Sequence, residues 1–174
     1  MEPVEINAGA YYLRQLRADD RIDDRPALVA AFADPELRRW VTRWRIDNLA
    51  EATDYVARRA QEWDRDERCS WAVADPSTGA LVGEIDLIRL ADDWALAEAG
   101  CWVAPEWRGR GAAAVALQAV LRFGTAVLDL RQVDYVHATG NAPSRRVAEK
   151  CGFRHQETRD GLLVHTLHVP AYGV

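Results

Sequence analysis

The sequence lacks the features that tie a protein to a membrane or to an oxidising compartment. No stretch approaches the roughly 18 consecutive apolar residues of a membrane span, and the first residues carry neither the basic nor the apolar segment of a signal peptide. There are only three cysteines, Cys69, Cys101 and Cys151, and their spacing fits no metal site. We therefore expect a soluble, unprocessed cytoplasmic protein with reduced cysteines, no membrane contact and no metal.

A basic surface is also missing. The 174 residues include 27 Asp and Glu against 22 Lys and Arg, which gives a formal net charge of −5 at pH 7. Because nucleic-acid binding normally needs a basic face, we expect no nucleic-acid partner. An apolar content of 49% suffices for one hydrophobic core, and no repeat or linker divides the sequence, so residues 1–174 are expected to form a single domain.

One stretch, residues 103–114, organises the rest of the chain. An apolar strand ends there, a long apolar helix follows, and the loop between them contains Arg108, Gly109, Arg110 and Gly111. The first turn of a helix presents N–H groups that have no intrahelical partners and attract an anion. Glycine lets a ligand approach the backbone, and arginine adds positive charge. We expect a phosphate site here, although a strand-to-helix turn with two glycines also occurs without any ligand.

The loop matches neither Gly-x-Gly-x-x-Gly nor a Walker loop, which argues against a dinucleotide or ATP. Written as Arg108-x-x-Gly111-x-Ala113, it resembles the Gln/Arg-x-x-Gly-x-Gly/Ala signature of the GNAT N-acetyltransferases. A second block resembles the family's Asn-x-x-Ser-x-x-Val/Leu-x-x-Lys-x-Gly-Phe and comprises Asn141, Ser144, Val147, Lys150, Gly152 and Phe153. Residues 83–85 and 98–103 are similar to the ribosomal-protein alanine acetyltransferase (RimJ/RimL-like) branch, and the whole resemblance covers roughly residues 10–169.

The resemblance implies the GNAT fold, an α/β architecture with a single mixed central sheet of about seven strands and helices on both faces. Apolar patterning agrees with the order β-α-α-β-β-β-α-β-α-β-β, including a strand over residues 96–103 and a helix over residues 112–127. Asn48 followed by Glu51 is typical of a helix start.

The resemblance also implies acetyl-CoA as the cofactor, cradled by the loop and by the strand before it. The residues expected to bind it are Cys101, Trp102, Val103, Arg108, Gly109, Arg110, Gly111, Ala112, Ala113, Asn141, Ser144 and Lys150. The roles of Cys101, Trp102 and Val103 are backbone roles. Cys101 as a covalent nucleophile is an alternative, but no histidine lies near it in sequence to activate it.

Acetyl transfer needs a proton for the leaving thiolate and a base for the amine. Many family members place a tyrosine where this chain has Ala148, whereas the branch uses a serine that matches Ser144. Ser144 would also serve well as a helix cap, and both roles stay open.

Glu98 is the first candidate for the base. In the simplest alignment with the family it lies one residue away from the position of the family's glutamate, a difference that a β-bulge could absorb. Glu84 and Asp86, which share one face of the neighbouring strand, are the alternatives. Each of the three could instead be an ordinary solvated strand position.

The acceptor is expected to be a primary amine that attacks acetyl-CoA directly in a ternary complex. The resemblance favours the N-terminal amine of a protein or peptide, with Trp40, Trp44 and Glu84 as substrate-binding residues. An antibiotic or polyamine is the alternative acceptor, and a non-catalytic acyl-CoA sensor is a further one. Trp40 and Trp44, four residues apart, would also suit a helix face that packs on the sheet. The sequence does not decide the oligomeric state, and a homodimer is one possibility.

Overall fold

Eight strands form one mixed sheet in the computed structural model, which describes residues 1–91 and 93–169. The strands are β1 (Ile6–Asn7), β2 (Tyr12–Arg14), β3 (Arg68–Ala74), β4 (Leu81–Arg89), β5 (Leu96–Val103), β6 (Gln132–Ala138), β7 (Arg154–Arg159) and β8 (Leu162–His168). The helices are α1 (Arg25–Phe32), α2 (Pro35–Trp40), α3 (Leu49–Asp64), α4 (Ala112–Val127) and α5 (Ala142–Lys150). In these described residues, none of the helices combines the length and the apolar character that a membrane crossing requires.

The strand count corrects the expectation of about seven. The sheet order is β1-β2-β3-β4-β5-β6-β8-β7, and the additional strand is β1, which has only two residues and pairs with β2 at Ile6 and Leu13. Two residues are too few to produce the alternation by which a strand is recognised in a sequence.

The parallel pair of β5 and β6 shapes the centre of the molecule. Its ladder runs from Leu96, opposite Gln132, to Ala99, opposite Tyr135, and stops there. Beyond this point each strand is paired only with its outer neighbour. Strand β4 stays paired with β5 as far as Val103, and β8 stays paired with β6 beyond Tyr135. The two central strands therefore diverge and leave an opening between their carboxyl ends.

Helices cover both faces of the sheet, as expected. Helix α4 is buried along most of its circumference and packs with α5 into one cluster of core side chains. A Cβ on Gly124 would stand 2.2 Å from Leu130, so the absence of a side chain there lets the helix lie close to its neighbours. Helices α1 and α3 form a second cluster on the other face, where the ring of Phe32 packs against Tyr55 of α3 and Trp102 of β5.

Glu84 of β4 ties this second face together. It is 1% exposed and accepts hydrogen bonds from Tyr55 Oη (2.6 Å), Arg59 Nε (2.9 Å) and Trp102 Nε1 (2.9 Å). Tyr55 and Arg59 belong to α3 and Trp102 to β5, so one carboxylate joins three elements. A buried charge is tolerated only when it is paired and hydrogen-bonded in this way.

We predict that Glu84→Ala lowers the free energy of unfolding by about 3–5 kcal/mol, because it leaves the buried Arg59 guanidinium with Glu62 as its only carboxylate and removes the acceptor of Tyr55 and Trp102. Urea denaturation of the purified variants measures the loss. Glu149→Ala is the control, since its ion pair with Arg145 joins side chains that are 51% and 61% exposed, and about 0.3–0.5 kcal/mol is expected for it. Similar small losses in both variants would contradict the role given to Glu84.

Candidate active site

A cleft of about 430 Å³ opens where β5 and β6 diverge. It is bordered by α2, by the end of β5, by the first turn of α4 and by α5 along its length. Its lining residues are Glu36, Leu37, Trp40, Val41, Cys101, Trp102, Val103, Trp107, Arg108, Gly109, Gly111, Ala112, Ala113, Ala114, Asn141, Pro143, Ser144, Arg146, Val147 and Lys150. Of the twelve residues that the sequence predicts to bind the cofactor, all but Arg110 are among them.

The loop before α4 has the geometry of an anion site. A 3-10 turn over residues 105–107 leads into Gly109 and Gly111, whose φ angles of 77° and 81° lie in the left-handed region that suits glycine. Gly111 is the N-cap and has no side chain to bond the first N–H groups of α4. A Cβ placed on it would meet nothing nearer than Lys150 Nζ at 3.9 Å. Free N–H groups, open space and an ammonium group therefore meet at one point.

Arg108, by contrast, is already engaged with protein groups. Its guanidinium bonds the carboxylates of Asp34 (2.5 Å) and Glu36 (3.0 Å), and its Nε bonds the Val103 carbonyl (3.3 Å). Burial alone would raise the pKa of Asp34, but the bonds from Arg108 and from the Leu37 N–H outweigh it and hold that pKa below its ordinary value. Arg108 thus fastens the loop to α2.

Asn141, and not Ser144, caps helix α5. The Asn141 side chain accepts a hydrogen bond from the Ser144 N–H at 3.1 Å, so of the two roles left open for Ser144 the structure rules out that of the cap. Ser144 lies three residues inside the cap and lines the cleft. Its hydroxyl is therefore not committed to the helix terminus.

Tyr135 lies on β6, is 2% exposed and belongs to no motif that the sequence indicates. Its hydroxyl is 3.1 Å from Cys101 Sγ. Burial raises the pKa of Tyr135 well above its ordinary value, and the Ser144 side chain opposes this rise only in part. A buried tyrosine hydroxyl normally has a partner, and this is the signal that could have drawn attention to a tyrosine in an inward strand position.

Cys101 itself remains a thiol near neutral pH. Burial raises its pKa to about 11, and the hydrogen bond with Tyr135 opposes this only in part. The thiolate is the nucleophilic form of cysteine. The environment therefore argues against Cys101 as a covalent nucleophile.

The three candidate bases have different surroundings. The oxygens of Glu84 are occupied by the bonds to Tyr55, Arg59 and Trp102, which argues against its predicted catalytic and substrate-binding roles. Glu98 is half-buried; burial raises its pKa, while nearby Arg43 and Arg68 oppose the rise. Neither carboxylate lines the cleft.

Asp86 is the third carboxylate, and it is 8% exposed. Its Oδ2 accepts a bond from Arg68 at 2.6 Å, while its Oδ1 is buried and has no partner among the described residues. Oδ1 lies 2.7 Å from where a Cβ of Gly100 would stand, so the glycine provides the space for it. Burial raises the pKa of Asp86 to about 6, although Arg68 acts against this.

The two tryptophans expected at the acceptor side are separated. Trp40 lines the cleft, and its ring lies against Gly140, with Cη2 3.4 Å from where a Cβ there would stand. Trp44 lies outside the cleft lining, where it packs edge-on against Tyr55 at 5.3 Å and beneath the guanidinium of Arg58 at 5.1 Å. The structure therefore places only Trp40 beside the cleft.

Within residues 1–91 and 93–169, no group of three or more His, Cys, Asp or Glu side chains could hold a metal ion.

Comparisons with known proteins bear on this arrangement. Residues 12–154 match the family described as "Acetyltransferase (GNAT) domain". The chain is 36% identical over 91 residues to the Bacillus subtilis (strain 168) protein named "Putative ribosomal N-acetyltransferase YdaF", a match that covers 52% of this chain and only half of YdaF.

Solved structures share the fold at lower identity. A RimL ribosomal L7/L12 α-N-protein acetyltransferase in complex with coenzyme A has a TM-score of 0.81 at 17% identity, covering 97% of this chain and 99% of that one. Mycobacterium smegmatis RimJ, in complex with CoA-disulfide, has a TM-score of 0.78 at 22% identity, covering 96% of this chain and 86% of that one.

We predict that Cys101 reacts slowly with iodoacetamide at neutral pH and about tenfold faster with each unit of pH up to roughly pH 10, because only the thiolate reacts. The rate is measured on the Cys101 peptide by mass spectrometry. N-acetylcysteine is the control, and its rate should level off above its ordinary thiol pKa of about 8.5. A plateau for Cys101 below pH 9 would contradict the raised pKa.

Proposed function

The chain belongs to the GNAT acetyltransferase family, and from this premise we propose that it transfers the acetyl group of acetyl-CoA to the N-terminal amine of a protein or peptide. The amine attacks the thioester directly in a ternary complex, and residues 1–174 act as one acetyltransferase domain. The observation that carries the proposal is the cleft between the diverging strands β5 and β6, which the N-terminus of α4 closes at one end.

In this proposal, the N–H groups of residues 109–113 hold the pyrophosphate, with Lys150 beside them. The end of β5 offers its backbone to the pantetheine arm, because the ladder to β6 stops at Ala99 and leaves residues 101–103 beside the cleft. The coenzyme A complexes of RimL and RimJ, which share the fold, support this placement.

Ser144 donates the proton to the leaving sulfur in this proposal. Two observations support the role: Ser144 lines the cleft, and Asn141 performs the capping that would otherwise occupy it. Glu98 accepts the proton of the amine through water, and burial raises its pKa, which is the direction that strengthens a carboxylate base. Asp86 is the second candidate for this role, since one of its oxygens is free.

The charge beside the acceptor side favours a peptide amine over a polycation. Residues 38–46 contain four arginines and no acidic residue, and Arg39, Arg43 and Arg45 are exposed. Asp47 pairs with Arg38 and Arg45 and offsets part of this charge, so the segment stays net positive. This cationic segment repels polyamines and aminoglycosides, which carry several positive charges. It also disfavours the ammonium form of an incoming amine and so helps to maintain the neutral nucleophile. The names of YdaF and RimL describe ribosomal acetyltransferases, which agrees with a protein acceptor.

Gly111→Val is expected to abolish binding of acetyl-CoA, because a branched side chain would fill the space at the start of α4. Isothermal titration measures the binding. Gly79→Val is a matched control: Gly79 has a φ of 74°, no atom within 4 Å of its Cβ position, and a place in the β3–β4 turn away from the cleft. Both variants should lose about 1–2 kcal/mol of stability through left-handed strain, and only Gly111→Val should lose the ligand. Wild-type affinity in Gly111→Val would place the pyrophosphate elsewhere.

The acceptor is tested by release of coenzyme A in the presence of peptides with free N-termini, the same peptides with blocked N-termini, spermidine and an aminoglycoside. We expect turnover with the free peptides only. Turnover confined to the polycations would overturn the acceptor assignment. Binding of acetyl-CoA without turnover on any amine would favour the sensor, and at 100 times Kd such binding should still raise stability by about 2.7 kcal/mol.

A further inference from the structure

We propose that Arg146 of α5 binds the 3′-phosphate of acetyl-CoA, so that the protein selects this cofactor over its 3′-dephospho form. Arg146 lines the cleft, but it is not among the residues that the sequence predicts to bind the cofactor. The inference rests on the proposed function, because it concerns a further group of the same cofactor in the same cleft.

Two of the positive charges in the described lining of the cleft are free to bind a phosphate. The charged residues of that lining are Glu36, Arg108, Arg146 and Lys150. Arg108 is neutralised by its ion pairs with Asp34 and Glu36. Arg146 and Lys150 make no hydrogen bond or ion pair with any other residue in 1–91 and 93–169. A phosphate in the cleft therefore meets two cations that no protein carboxylate occupies.

Helix α5 presents these two cations on one face. The residues of this face that line the cleft recur every three or four positions and are Pro143, Arg146, Val147 and Lys150. Lys150 lies beside the start of α4, with its Nζ 3.9 Å from where a Cβ of Gly111 would stand. Arg146 is exposed and lies four residues before Lys150, which corresponds to about 6 Å along the helix axis. The second cation therefore lies about one helical turn away from the proposed pyrophosphate site.

The cofactor has a phosphate for each of these cations. Acetyl-CoA contains a pyrophosphate and, on its ribose, a separate 3′-phosphate. In the proposed site the pyrophosphate takes the N–H groups at the start of α4 together with Lys150. The 3′-phosphate then needs a partner of its own, because a phosphate monoester carries about −1.5 to −2 charges at pH 7. A guanidinium suits this group, since its planar fork of donors binds two phosphate oxygens at once.

Arg145, the preceding residue, provides a matched control. It is exposed like Arg146, but its Nε donates to Glu149 Oε1 at 2.8 Å, and it does not line the cleft. Arg145→Gln and Arg146→Gln therefore remove the same charge from adjacent positions of one helix. Both side chains are exposed, so the core keeps its packing in either variant.

Isothermal titration measures the Kd of acetyl-CoA and of its 3′-dephospho analogue for the wild type and for both variants. We expect the wild type to bind acetyl-CoA about tenfold more tightly than the analogue, because one charge-assisted pair distinguishes the two ligands. Arg146→Gln should weaken binding of acetyl-CoA about tenfold, leave the Kd of the analogue unchanged and so remove the preference. Arg145→Gln should keep the wild-type preference.

Three results would overturn the inference while binding of acetyl-CoA and turnover by the wild type uphold the proposed function. The first is a wild type that binds both ligands equally well. The second is a wild-type preference retained in Arg146→Gln, which would place the 3′-phosphate elsewhere. The third is an equal loss of affinity for both ligands in Arg146→Gln, which would assign Arg146 to a group that the ligands share. A wild type that binds neither ligand would instead overturn the proposed function, and the inference with it.

Discussion

The divergence of one parallel strand pair governs the rest of this structure. Strands β5 and β6 share a ladder of only four residue pairs, and each is then held by its outer neighbour on a separate course. The gap exposes the end of β5 and aligns it with the N-terminus of α4, whose apolar circumference is buried in the core. Neither feature alone makes a cofactor site. Together they provide a cleft for an extended chain with an anion site at one end.

Buried charges hold the β5 side of this gap in place. Glu84 joins β4 to α3 and to Trp102, and Asp86 pairs with Arg68 on the same face. A strand carboxylate is therefore not evidence of catalysis by itself, since Glu84 accepts bonds from three buried donors. Arg108 plays a similar part by linking the loop before α4 to Asp34 at the start of α2. Because α2 also carries Trp40, this ion pair connects the proposed phosphate site to the proposed acceptor side.

Much of the fold could be predicted from the sequence, because its strongest local signals are long. The predicted bounds of β5 and α4 agree with the structure, and the start of α3 at Asn48 is confirmed by its bond to the Glu51 N–H. The short β1 left no pattern to detect. The sequence could not decide which residue caps α5, since Asn141 and Ser144 are both good caps. Tyr135 meets Cys101 only through a tertiary contact that no spacing reveals.

The central claim is that acetyl-CoA lies between the diverging strands with its pyrophosphate on the N-terminus of α4. Backbone amide chemical shifts, followed by NMR during titration with acetyl-CoA, test this most directly because they report on the groups that would bind the ligand. The account predicts that the amides of residues 101–103 and 109–113 shift together and saturate at one ligand equivalent. Saturable binding that leaves the amides of residues 109–113 unshifted would contradict it.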